Sequence, residues 1–265
     1  GQSVHRNEFA IDGGIFWSPD GNRLAYYVMD ESMVTDYPLV DITQRIATAT
    51  PIKYPMAGMT SHIVKLHVYD IETGRDIVMQ TGEPEEHYLT AITWNNDNEH
   101  IYIGILNRGQ DTLNFNEYNA LNGEFSKTIF HDEDAQYVEP QGPAHFLPGS
   151  TTEFVWLAQR DGYYHLWLHN TKTLKARQIE KGDYVVTAFE GFDDNGNAYY
   201  TSTEVSPLQR HFYKVNLKNG KKVRITQKHG THSVLPSKSG KFFIDYYSST
   251  DVARAVDIQD AKGRL

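Results

Sequence analysis

Hydrophobic and polar residues alternate at a period of two in many short runs along this chain. Asn22-Arg23-Leu24-Ala25-Tyr26-Tyr27-Val28 is one such run, and Ile101-Tyr102-Ile103-Gly104-Ile105 is another. That period predicts strands with one face turned inward. The helical period is nearly absent, and only Thr43 to Ala49 could form a helical turn or two. The run at Asn22 is preceded by Phe16-Trp17-Ser18-Pro19-Asp20-Gly21, an aromatic to bury followed by the chemistry of a tight reversal.

This cassette recurs in degraded form. Trp94 to Asn98, Phe146 to Ser150, Phe192 to Gly196 and Pro236 to Gly240 each precede an alternating run. Aligned on Gly21, Asn98, Ser150, Gly196 and Gly240, the copies are 77, 52, 46 and 44 residues apart. Between them lies a second repeating element of strand, polar turn and strand, beginning at Val64, Leu113, Tyr164 and His211. A shortened copy, VDIQDAKGRL, closes the chain. Two hairpins in each repeat of about 45 residues is the period of a four-stranded propeller blade. The expected fold is all-β: a partial β-propeller of about four full four-stranded blades with part-blades at the ends, one domain over 1–265. Trp17, Trp94, Phe146 and Phe192 are expected in the blade cores. An open stack of blades leaves sheet edges to be covered, by further blades or by a second copy.

The longest step holds an excess of residues, Met29 to His62, an inserted arm at about 29–62. Pro38, Pro51 and Pro55 and the loss of alternation mark it as an excursion from the blade. Loops of this length in a compact domain are usually functional, so the arm is expected to pair with another subunit or line a pocket.

Composition narrows the function. A length of 265 residues is ample for a large all-β domain, and 17 Tyr favour strands. The net charge of -9 argues against a nucleic-acid partner and favours a cationic ligand. With no cysteine, disulfide and thiol chemistry are excluded. No apolar run approaches a membrane span. Gly1-Gln2-Ser3 has no initiator Met, so the chain is expected to be cut from a longer protein.

His5, Arg6, Asn7 and Glu8 are four polar residues in a row that neither strand nor turn requires. Val4 to Phe9, Phe16 to Gly21 and Tyr54-Pro55-Met56-Ala57-Gly58 together resemble the propeller of the dipeptidyl peptidase IV family, within the prolyl oligopeptidase class of serine peptidases. Arg160 to Leu166 and Ser206 to Tyr213 resemble its bacterial branch, which includes prolyl tripeptidyl peptidase. The resemblance implies half of an eight-bladed propeller capping an α/β-hydrolase domain that this chain lacks, since no Gly-x-Ser-x-Gly elbow occurs in it. It implies a chain that is inactive alone, in a parent that releases Pro-containing di- or tripeptides from peptide N-termini. The arm is expected to form a homodimer, and the resemblance implies a periplasmic or secreted location. No cofactor or metal is expected.

In that family a Glu-Glu pair holds the substrate's free α-amine. The matching segment here is Arg6-Asn7-Glu8, so the resemblance assigns the amine anchor to Glu8, with Asn7 as a carbonyl acceptor. A single acid puts strict dipeptide release in question and suits a more distant amine, as in tripeptide release.

Other candidates have plainer readings. His165 and His169 are four apart on a strand, too widely separated for one metal. Asp193-Asp194-Asn195-Gly196 lacks the terminal acid of a calcium loop and reads as a hairpin turn. Tyr137, Glu139 and Gln141 fall where the dipeptidyl peptidases carry an Arg-bearing substrate loop, but no Arg is present and no role is assigned. The alternative to the peptidase reading is a non-enzymatic propeller acting as an interaction scaffold.

Overall fold

The computed structural model describes residues 9–11 and 13–264. They are all-β, and they divide into two compact units, Gly1–Pro143 and Ala144–Leu265.

In the first unit, β1 (Ile15–Trp17), β2 (Arg23–Asp30), β5 (Ile63–Asp70) and β6 (Asp76–Val78) form one antiparallel sheet. Between β2 and β5 the chain leaves the sheet to make a separate hairpin, β3 (Asp36–Asp41) and β4 (Thr48–Lys53). The second sheet runs β7 (His87–Trp94), β8 (His100–Asn107), β9 (Thr112–Asn119) and β10 (Phe125–Glu133). The second unit repeats the pattern. Its sheets are β11 (His145–Phe146), β12 (Glu153–Gln159), β13 (Tyr164–Asn170) and β14 (Lys175–Gln178), then β15 (Val186–Phe192), β16 (Asn197–Ser202), β17 (His211–Asn216) and β18 (Lys222–Arg224). A three-stranded sheet, β19 (Thr231–Pro236), β20 (Phe242–Ser248) and β21 (Ala255–Asp260), completes it.

Each cassette is the turn between the first and second strand of a sheet. At the first, the Gly21 amide donates to the Ser18 carbonyl at 2.9 Å, and the Asp20 carboxylate accepts from the Ser18 hydroxyl at 2.6 Å and the Asn22 amide at 3.0 Å. Gly21 has φ +73, the left-handed region that glycine reaches without a Cβ clash. The third copy turns differently: Gly149, one position earlier, carries the positive φ, behind Pro148, as a type II turn requires.

Period-two alternation explains the cores. In β16, Ala198 and Tyr200 pack toward Val155, Leu166 and Leu168 of the preceding sheet, while Tyr199 between them packs toward Phe212, Val234 and Phe243. A sheet buried on both faces in this way needs a neighbour on each side, which is blade stacking. In the first unit, Ala25, Leu66, Val68 and Met79 of one blade meet Leu89, Ile92, Trp94 and Ile101 of the next.

Trp17 is a correction, because it is 55% exposed. Phe16 is the inward residue of β1, packed edge-on against Tyr27 at 5.5 Å, and one step along the strand turns Trp17 to the other face. Trp94 is buried as expected, and Phe146 and Phe192 are half-buried. Residues 42–47 are the bent loop of the arm hairpin and make no helical turn, because the Asp41 carboxylate accepts from both the amide and the hydroxyl of Thr43. Pro38 and Pro51 face each other across the hairpin, as two residues without amide hydrogens can at a non-hydrogen-bonded position.

Candidate functional site

Asn7 and Glu8, the expected amine-binding residues, lie outside the described residues. The segment that continues from them is held firmly. Phe9 and Ala10 have φ of 53 and 59. Two successive non-glycine residues in the left-handed region cost roughly 1–2 kcal/mol each, so contacts must hold them there. The Phe9 ring packs against Tyr88, tilted by 36° with centroids 4.7 Å apart. The hydroxyl of Thr90, fully buried, donates to the Phe9 carbonyl. Further along, the Tyr27 hydroxyl donates to the Leu89 carbonyl at 2.7 Å, and the Trp94 indole donates to the Phe16 carbonyl at 2.9 Å. Residues of one strand, β7, thus hold the carbonyls of Phe9 and Phe16 and take the Tyr27 hydroxyl.

β7 is shaped for this task. Its register against β8 slips between Thr90 and Thr93, and Ala91 there has φ 53, which is a β-bulge. Gly104 lies opposite Thr90. A Cβ at that position would sit 3.0 Å from the Thr90 methyl carbon, so glycine gives Thr90 its room.

The arm leaves the same unit nearby in sequence. Val34 is buried at its base, Lys53 pairs with Asp36 at 3.0 Å, and Arg108 donates to the Met59 carbonyl at 3.3 Å. Burial, reinforced by the Arg108 guanidinium, pushes the His62 imidazole below its ordinary value. The hairpin beyond is exposed, with Ile42 and Ile46 at its tip 82% and 83% accessible.

In the second unit a polar line, buried at His165, Glu180 and Tyr184, crosses from β13 to β18. His165 Nδ1 meets Asp161 at 2.9 Å, and its Nε2 lies 3.7 Å from Glu180. Glu180 accepts from the Leu166 amide at 2.9 Å and the Tyr184 hydroxyl at 2.6 Å, and Lys222 bridges Tyr184 to Glu204. Burial pushes the Glu180 carboxyl up. His169 faces Arg160 instead, accepting from its guanidinium at 3.0 Å, so the two histidines do not converge. Among the described residues no group of acids and histidines is arranged to hold a metal. Asp193 is the hairpin residue expected, its carboxylate filled by Asn195, Asn197 and Tyr199. Tyr137, Glu139 and Gln141 lie in an irregular segment in which the Val138 amide donates to the Gln110 carbonyl at 2.7 Å.

Sequence reasoning missed Tyr88, Thr90 and the bulge at Ala91, because nothing in HYLTAITW marks a slipped register. The signal available was Gly104 in the middle of the strand run that follows, since an interior glycine often marks a bulge or a close approach.

A family model for the dipeptidyl peptidase IV (DPP IV) N-terminal region matches residues 1–254. The chain belongs to that family. Dipeptidyl-aminopeptidase B of Aspergillus niger is 27% identical over 258 residues, covering 85% of this chain and 28% of the relative. A Bacteroides ovatus crystal structure assigned as a dipeptidyl aminopeptidase IV matches all of the chain with a TM-score of 0.91 at 39% identity. The crystal structure of Porphyromonas gingivalis dipeptidyl peptidase 4 matches 97% of it with a TM-score of 0.86 at 26% identity. The chain spans 40% and 37% of those two proteins. The DPP IV family membership and the stacked four-stranded sheets agree on a partial β-propeller.

Proposed function

We propose that this chain is the substrate-gating and amine-anchoring propeller of a serine exopeptidase that releases Pro-containing di- or tripeptides from peptide N-termini. The hydrolytic chemistry belongs to an α/β-hydrolase portion of the parent protein outside this chain, and the chain alone hydrolyses nothing. The observation that carries the reading is the family match over 1–254, with the His5-Arg6-Asn7-Glu8 segment at the head of it.

The chemistry of Glu8 follows from the substrate. A peptide α-amine has a pKa near 8, is mostly charged at neutral pH, and calls for a carboxylate acceptor. A charge-assisted hydrogen bond of this kind is worth about 1.5–3 kcal/mol. An amide nitrogen in its place would leave the carboxylate unpaired, which restricts cleavage to free N-termini. Asn7 adds a neutral acceptor beside it. The blades exclude folded proteins from the chamber, and the exposed arm pairs with a second copy through its apolar tip.

Glu8→Gln in the full-length protein tests this. KM for free-amine peptides should rise about 10- to 100-fold while labelling by an active-site serine probe that lacks an amine is unchanged. Equal loss in both assays would make Glu8 a structural residue.

A further inference from the structure

In an antiparallel sheet the turn after the third strand lies at the same end as the cassette, and in the second unit that end is one-sided in charge. Its turns at 171–175, 193–196, 217–221, 237–241 and 260–264 hold eight cations and three acids. The corresponding turns of the first unit, at 18–22, 70–75, 95–99 and 119–124, hold six acids and one cation, Arg75. Such turns rest on the backbone chemistry of Gly, Asn and Asp, so closing them does not call for lysine.

Two of the three acids are occupied. Asp193 accepts from Asn195, Asn197 and Tyr199, and Asp260 holds Arg264 at 2.6 Å. That leaves Asp194 against seven exposed lysines, two each at 171–175, 217–221 and 237–241 and the last at Lys262. None of the seven is in an ion pair among the described residues, whereas Lys222, the residue after Lys221, meets Glu204 at 2.7 Å and Lys228 meets Asp257 at 3.2 Å. The turns of the three sheets adjoin. Leu147, Phe192 and Lys218 line one groove, and a Cβ on Gly240 would sit 2.9 Å from the Asp193 Cβ.

Two features select the partner. The free cations are all lysines, mobile point charges, while a partner with fixed phosphate or carboxylate positions favours the planar fork of Arg. Leu174, between Lys172 and Lys175, is 51% exposed at φ 56 on the turn. Lysines around an apolar tip suit a fluid anionic surface, which takes the apolar group into its interface and the lysines among its headgroups. We propose that the cassette end of the second unit docks on anionic phospholipid headgroups. The total charge of -9 conceals this surface, since residues 205–265 hold 12 of the 25 Lys and Arg but only 4 of the 34 Asp and Glu.

The test is co-sedimentation of the full-length protein with phosphatidylcholine vesicles containing about 30% phosphatidylglycerol, beside vesicles of phosphatidylcholine alone. Binding should occur on the anionic vesicles only and fall steeply as salt is raised. Lys218→Gln with Lys221→Gln should lower the partition coefficient about tenfold or more, and Leu174→Ser about threefold. Lys65→Gln, at an exposed cation of the first unit, should leave it unchanged. Urea denaturation should be native in all of these variants, and Lys238→Gln with Lys241→Gln stands in if the first pair does not fold. Absence of binding to anionic vesicles, equal binding to neutral ones, or an equal loss in Lys65→Gln would overturn the proposal. If polyglutamate binds through the same lysines and the vesicles do not, the surface serves an acidic protein and the lipid partner is overturned.

Discussion

The arm hairpin β3–β4 and the blade pair β8–β9 are both antiparallel ladders, yet only one of them has a core. In β8, Ile101 to Gly104 are buried in an unbroken run, covered on both faces. In β3 and β4 no residue is buried. A blade strand is held by what stacks on it, whereas an isolated two-stranded hairpin is marginal in water. The arm is instead fastened at its base, by Val34, Lys53 and the Tyr54 amide on the Thr35 carbonyl at 3.2 Å. Apolar residues at its tip therefore contribute nothing to folding, and their exposure fits a surface meant for a partner.

The sharpest way to break this contrast is in a blade core. Phe212, fully buried between Tyr199 at 5.5 Å and Phe243 at 5.1 Å, should cost about 3–5 kcal/mol on Phe212→Ala, read by urea denaturation. A loss below about 1 kcal/mol would mean that the blades are not packed as described.

A smaller effect comes from His169, buried in β13 and stacked on Phe154 at 5.1 Å. Burial, with Arg160 beside it, lowers its imidazole from 6.5 to about 3. The unfolded chain therefore binds a proton that the folded chain refuses between those values. The stability this site provides is complete above pH 6.5 and is lost as the pH falls toward 3. Between pH 7 and pH 5 this site's share of the loss should be about 2 kcal/mol, and His169→Gln should remove that share, leaving the part due to His145, which burial lowers to about 4. An unchanged pH slope in the variant would show that His169 takes up its proton without unfolding.

At the arm the effect on folding should be smallest. Ile42→Ser with Ile46→Ser should shift stability by no more than about 0.5 kcal/mol, while sedimentation of the full-length protein shows the dimer weakened. A dimer of native strength would remove the arm from the interface.

Much of this contrast was legible in the residues. The five cassettes, the strand-turn-strand elements between them and the excursion after Met29 all show as turn chemistry and broken alternation, which are local properties. What was not legible depends on contacts distant in sequence. Trp17 faces outward because Phe16 takes the inward position, and only the register with Ala25 decides between them. Nothing local marks Glu180 or Glu204, and only the fold brings His165 of β13 and Tyr184, just before β15, to the first and Lys222 of β18 to the second. The left-handed Phe9–Ala10 pair has no glycine to announce it, since Thr90 and Tyr88, some eighty residues later, hold it in place. Glu8 itself was reached through the resemblance alone, because no local pattern separates an anchoring carboxylate from a solvated one.

The most direct measurement is a crystal structure of the full-length protein with its nucleophile replaced and a free-amine peptide bound. The peptide ammonium should lie within about 2.7–3.2 Å of a Glu8 carboxylate oxygen. A Glu8 side chain turned to bulk solvent, with the amine held by another acid, would contradict the account.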